Sequence, residues 1–343
     1  MLKHFLFLDW LRILATIAVI TVHISTVFVL ANYNDSPVTW LAGNFYESIT
    51  RWCVPIFIMI SGALLLSDSR ESTYRTFFAK RASKVFVPLL GWSAIYYLYF
   101  VSQDRYPASV LDFLTRFSTN DISNHLWFIY MLLGMYLITP LLKLLLKNAQ
   151  KKDITYFLAL WLYISVAVRL LKHYVGFSFE IELYFATNYI GYYVLGYYLI
   201  TYEISSLMRK LAYAGILVGI TGTFLLTYSF TMQANGAFRA FWYDYHSPTV
   251  LLSSIGIFVL LKHLPISEGS IKHFVPAIIN NTNFGIYLVH MLVISLLSTF
   301  APFLWLDLNA FVEIPYKVLL TLIGSIIIVI IMRKIPLVKK LVP

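Results

Sequence analysis

The chain has 343 residues, 59% of them hydrophobic and only 12% charged, with a net charge of +10. Soluble domains carry about 25% charged residues, so this composition excludes an ordinary soluble domain and points to a polytopic membrane protein. The charge follows membrane topology rather than a nucleic-acid surface, and the single cysteine, Cys53, excludes an intrachain disulfide.

Apolar runs of about membrane length predict ten spans, at residues 5–30, 44–66, 84–101, 124–146, 154–171, 182–201, 210–230, 247–264, 280–300 and 312–332. With the N-terminus inside, most of the 26 basic residues fall in cytoplasmic loops, among them Arg70, Arg75, Lys143, Lys147, Arg209, Lys210, Arg333 and Lys334. Acidic residues such as Glu180, Glu182, Asp244, Asp307 and Glu313 gather on the outer side. The positive-inside rule then places both termini in the cytoplasm. The first apolar run lacks a small-residue cleavage site, so it is expected to stay as a span rather than leave as a signal peptide. The fold expected is all-α, a polytopic integral membrane protein of about ten transmembrane helices. Residues 1–343 are expected to form a single membrane domain with no appended soluble domain.

The first span, FLFLDWLRILATIAVITVHIS, carries Arg12 and His23 in apolar surroundings. An ionisable group inside a span costs at least a few kcal/mol and is by default a functional candidate. Eleven helical steps of about 100° return to within roughly 20° of the same face, with a rise of about 16 Å. Arg12 and His23 therefore share one face at two depths, unless each merely snorkels to its own interface. Asp9 lies three residues before Arg12, where it can pair with and orient the guanidinium.

The second span places Asn44, Glu47 and Arg51 in its outer half, with Glu47 and Arg51 at pairing distance on one helix face. The cytoplasmic loop that follows, SDSRESTYRTFFAKRASKVFVP, concentrates Lys80, Arg81 and Lys84 within about one helical turn. Topology alone accounts for basic residues there, but the cluster also suits phosphate groups. His125 opens the fourth span in NHLWFIY. His290 lies in the outer half of the ninth, in FGIYLVH, three residues after Tyr287. A histidine at a span end is often an interfacial anchor, yet residues of this kind on four helices point toward a shared interior or water-filled cavity. Gly215 and Gly219 form a small-xxx-small pair for close helix approach. Tyr192, Tyr193, Tyr197 and Tyr198 read as packing residues first and a sugar path second. Asn280 formally fits a glycosylation acceptor but falls on the cytoplasmic side and is expected to be a helix cap. No HExxH, phosphate loop or paired-cysteine metal pattern appears, and no metal is expected.

These residues resemble the acyltransferase 3 family of polytopic membrane acyltransferases. LDWLR through His23 (residues 8–23) matches its basic-x10-His signature, and VPIFIMISGALLL (54–66) resembles its second-helix motif ending in Ser-Gly. KRASKVFVP (80–88) resembles its basic-x-x-basic element before a proline, with Lys84 standing where arginine is usual. HLWFIYMLLGMYLITPLL (125–142) and FGIYLVH resemble further stretches, in family order. The resemblance implies transfer of an acyl group, usually acetyl, from cytoplasmic acetyl-CoA or another short acyl-CoA to a hydroxyl. The acceptor would be an extracytoplasmic carbohydrate, glycolipid or related molecule, as in polysaccharide modification at the cell membrane. It assigns Asp9, Arg12, Lys80, Arg81 and Lys84 to the acyl-CoA. His23 becomes the general base, with a transient acyl-histidine as the second route. Unperturbed imidazole titrates near pH 6.5 and suits proton exchange at working pH. Arg51, His125, Tyr287 and His290 remain candidates for stabilising the oxyanion or orienting the base. The competing reading is a transporter or flippase for a lipid-linked sugar, its histidines a proton relay. Such a protein needs no phosphate site for CoA.

Overall fold

The computed structural model describes residues 6–70, 73–176, 188–265, 277–306 and 308–343, all helix, turn or loop with no strand. Nine of the described segments are long and apolar enough to cross a membrane. They correspond to nine of the ten spans expected. The tenth, at 182–201, lies partly outside the described residues, and its described part is a helix over Ile190–Thr201.

The described helices are α1 (Leu6–Leu30), α2 (Pro37–Thr50), α3 (Cys53–Leu66), α4 (Tyr74–Arg81), α5 (Val87–Ser102), α6 (Val110–Thr119) and α7 (Trp127–Asn148). They continue with α8 (Lys151–Leu162), α9 (Arg169–Val175), α10 (Ile190–Thr201), α11 (Ser206–Gln233), α12 (Pro248–His263), α13 (Ala277–Phe300) and α14 (Ala310–Lys334). The residues gather into two compact units. The first comprises Met1–Ser69, Leu141–Pro276 and Asp307–Val318. The second comprises Arg70–Pro140, Ala277–Leu306 and Leu319–Pro343.

In the first unit α1 packs on α2, α3 and α12, α10 lies along α3, and α11 lies along α12 and α2. α1 is unbroken for 25 residues, roughly 38 Å at 1.5 Å per residue. Its Thr16, Thr21 and Ser25 hydroxyls are satisfied by carbonyls four residues back, at 2.7–2.9 Å, as hydroxyls without water require. The second span is not one straight helix. Pro55 has no N–H and its ring crowds the carbonyl of Arg51, so the helix breaks one turn earlier. The chain turns at Arg51–Trp52 between α2 and α3, and the Trp52 indole donates to the Ile49 carbonyl at 2.6 Å. α12 begins cleanly because Ser247 caps it, its hydroxyl accepting from Val250 N at 3.3 Å, with Pro248 at the first helical position.

Close approach holds α3 to α10. A Cβ added to Gly62 would lie 1.8 Å from the Tyr193 carbonyl oxygen, and one added to Gly196 would lie 1.9 Å from that of Met59. The pair expected on α11 behaves likewise at Gly219, where a Cβ would meet the Thr249 carbonyl at 2.4 Å.

In the second unit Trp92 of α5 donates to the Leu341 carbonyl at 2.9 Å. The Tyr96 hydroxyl donates to the Leu288 carbonyl at 2.8 Å and accepts from Leu292 N at 3.0 Å. This one hydroxyl thus ties α5 to the middle of α13. The stretch between the third and fourth spans, with no element expected, contains α6. Ser109 caps its start and Asn120, at φ 58°, ends it in the left-handed conformation that asparagine tolerates. Among the described residues two helical turns are of π type, Ala82–Phe86 and Tyr163–Val168. Such turns are rare and concentrate at functional sites.

The backbone contact at Gly62 and Gly196 leaves no room for a methyl group. Gly62→Ala and Gly196→Ala are each expected to cost about 1–3 kcal/mol, seen as a lower melting temperature in detergent. Gly134→Ala serves as the control, because nothing lies within 4 Å of its added Cβ.

Candidate active site

The first unit holds the Arg12–His23 helix. Asp9 pairs with Arg12 at 2.6 Å, so the i,i+3 spacing read from the sequence does orient the guanidinium. Asp9 is 4% exposed whereas the Arg12 side chain is 30% exposed. The carboxylate is a buried anchor and the arginine keeps an open side. Eleven residues on, in the same unbroken helix, His23 is half-buried.

One turn beyond His23, Thr26 donates to the Glu47 carboxylate on α2 and to the Val22 carbonyl at 2.7 Å. Glu47 is fully buried and pairs with Arg51 at 2.8 Å. The turn ahead of Pro55 lets the Arg51 side chain leave α2 and face the segment before α12. There its guanidinium lies 4.6 Å from the centre of the Tyr243 ring and 5.8 Å from that of Tyr245. Cation–π contact of this kind suits a desolvated arginine. Tyr243 in turn donates to Asn44 Oδ1 at 2.6 Å, and the Asn44 amide donates to the Phe224 carbonyl at 3.1 Å. Asn44, Glu47 and Arg51 therefore connect α1, α2, α11 and the 240–246 segment through one polar network.

The second unit brings together the other three candidates. His125 and His290 rings are 5.3 Å apart, and Tyr287 lies 5.9 Å from His125 and 5.8 Å from His290. The Tyr96 ring meets His125 edge-on at 4.9 Å. Tyr287 gives its hydroxyl proton to the His125 carbonyl. His290 Nδ1 lies 2.6 Å from the Tyr287 carbonyl, which can only accept, so Nδ1 carries a proton and Nε2 is the basic nitrogen of the neutral ring. His125 Nδ1 contacts Ser123 Oγ at 3.0 Å. His125 and His290 are 1% and 0% exposed. Sequence spacing pointed to His290 and Tyr287 as neighbours but gave no sign of Tyr96.

Lys80 and Arg81 end α4, and Lys84 sits in the π turn that follows, so the three do not follow a simple α-helical register. Lys80 and Lys84 are exposed and Arg81 half-buried, its guanidinium 5.2 Å from the Phe77 ring centre and 5.4 Å from Tyr136. Two open lysines beside a ring-braced arginine suit an anionic ligand.

Sequence reading missed Tyr243, Tyr245, His246 and Arg169, and it treated Asp244 only as a loop charge. The signal available was the run WYDYH at 242–246, an acid and a histidine set among aromatic residues. Nothing in local spacing links it to Arg51 or Arg169.

An acyltransferase family model, described as an acyltransferase domain, matches residues 5–331. The chain belongs to the acyltransferase 3 family. No curated protein and no solved structure matches it. The family match runs from α1 into α14 and covers both units. It supports acyltransferase activity in a multi-pass membrane protein.

Removing one partner of a buried ion pair strands the other charge, at about 3–5 kcal/mol. Glu47→Ala is therefore expected to lower the melting temperature in detergent more than Glu47→Ala combined with Arg51→Met. An equal or larger loss in the double variant would show that the two charges do not hold each other.

Proposed function

We propose that this protein transfers a short acyl group, acetyl by default, from acyl-CoA to a hydroxyl of an extracytoplasmic carbohydrate, glycolipid or related acceptor. The observation that carries the reading is the single helix α1 presenting Arg12 and His23 on one face, in a chain of the acyltransferase 3 family. Orientation by the positive-inside rule puts Arg12 toward the cytoplasm, the source of acyl-CoA, and His23 toward the outer half of the membrane. The membrane is then the cell membrane.

His23 takes the proton of the acceptor hydroxyl as its oxygen attacks the thioester carbonyl. The new C–O bond forms, the C–S bond breaks, and CoA leaves as a thiolate that is then protonated. Arg12, held by Asp9, is assigned to the polar pantetheine arm. Lys80, Arg81 and Lys84 are assigned to the CoA phosphates, where Arg81 offers a planar fork of donors and the lysines compact charges. Arg51 pairs with Glu47 through Nε and lies against two tyrosine rings, which supports a positioning role on the His23 side of the first unit. Tyr287 spends its proton on the His125 carbonyl, so His125, Tyr287 and His290 are assigned a supporting role rather than that of base.

His23→Ala is expected to lower acyl transfer about 10²- to 10⁴-fold, the range for loss of general-base catalysis, with an unchanged melting temperature. Transfer at the wild-type rate would overturn the assignment. Arg81→Ala combined with Lys84→Ala is expected to raise the KM for acyl-CoA with kcat little changed, the signature of lost uniform binding. An unchanged KM would move the nucleotide site elsewhere.

A further inference from the structure

A second polar cluster in the first unit takes no part in the chemistry above. Asp244, between the short helical turn Ala240–Tyr243 and α12, accepts three contacts on a single oxygen. Oδ1 receives the backbone N–H of His246 at 2.7 Å, His246 Nδ1 at 3.3 Å, and the guanidinium of Arg169. The Asp244 side chain is 38% exposed and that of Arg169 30% exposed. Oδ2 is thus left open to a further donor. Because the carboxylate can only accept, His246 Nδ1 carries the proton of that contact. Its Nε2 is shut from solvent, so the residue acts by holding Asp244 through Nδ1 and the backbone N–H.

Aromatic rings frame these groups. Tyr189, half-buried, lies 4.9 Å from the His246 ring, and Phe241 lies 5.0 Å from the Arg169 guanidinium. Arg169 is the first residue after the π turn Tyr163–Val168. The cluster is continuous with the polar network beside His23, because Tyr245 links Asp244 to the Arg51 ring contact and is held by the Tyr192 hydroxyl at 2.5 Å. Asp244 lies between α11 and α12, ahead of the span at 247–264, where an ion pair can be closed off or open. This one is partly open, offers acceptors and donors side by side, and has a ring face next to it. Those are the demands of a vicinal-hydroxyl ligand: a carboxylate oxygen to accept O–H bonds, a guanidinium to donate, and an aromatic ring for the apolar side of a pyranose.

We propose that Arg169, Asp244, His246 and Tyr189 form a saccharide subsite that binds the hydroxyl acceptor. The inference rests on the acyl-transfer reading and names where the acceptor sits. The test uses the purified full chain in nanodiscs, free of sugar-headed detergent, titrated with maltotetraose and chitotetraose and followed by tryptophan fluorescence. The same preparations are checked for a melting shift with acetyl-CoA. Saturable binding of at least one tetrasaccharide is expected. It should weaken at least tenfold in Asp244→Asn and Tyr189→Ala and persist in Tyr189→Phe, while the acetyl-CoA shift survives in all three. Saccharide binding unaffected by Asp244→Asn and Tyr189→Ala would overturn the subsite. So would an acetyl-CoA shift in a wild-type protein that binds neither tetrasaccharide, which leaves the acyl-transfer reading intact. Loss of the acetyl-CoA shift in the wild-type protein would instead strike at that reading itself.

Discussion

A carboxylate and a guanidinium placed inside a membrane segment must find each other, and the structure around His23 depends on that constraint. Glu47 is wholly withdrawn from solvent, and an isolated charge there would be costly by several kcal/mol. Arg51 neutralises it at 2.8 Å, and Thr26 supplies a hydrogen bond from α1. The break before Pro55 is what lets Arg51 turn outward to Tyr243 and Tyr245 while its backbone still closes the last turn of α2. One ion pair thus fixes α1 against α2 and orders the segment that leads into α12. The helix carrying His23 is held by this network on one side and by hydroxyl bonds to its own carbonyls along its length.

What the sequence made legible was local. Asp9–Arg12 and Glu47–Arg51 are three and four residues apart, so helical periodicity alone brings each pair together. The shared face of Arg12 and His23 follows from the same periodicity, provided the helix is unbroken, and α1 is. The family motifs stood in order along the chain, and the family match extends over residues 5–331. The rest was not readable because it depends on packing between distant segments. Arg51 meets Tyr243, and Arg169 meets Asp244, across stretches that carry no periodic signal. Tyr96 joins the His125 group for the same reason. α6 was missed because its ten residues are too few to look like a span. The π turns, one of them containing Lys84, leave no mark in a hydrophobicity pattern.

The same physical argument separates the competing functions. Buried charges and histidines suit a transporter's proton relay as well as an enzyme, so they do not decide between them. Family membership favours acyl transfer. Within the first unit the polar groups divide along the chain: a partly open arginine held by a buried aspartate, a histidine eleven residues on, and a polar aromatic cluster tied to α1 at Thr26 through Glu47 and Arg51.

The most direct measurement is binding of acetyl-CoA to the purified protein, read as a shift in melting temperature beside free CoA and beside Arg12→Ala. A ligand that binds the folded state alone must raise the melting point. The account predicts a shift with acetyl-CoA that is weakened in Arg12→Ala. A folded protein that gives no shift with acetyl-CoA, succinyl-CoA or CoA would contradict the donor site, and with it the acyltransferase mechanism drawn for this chain.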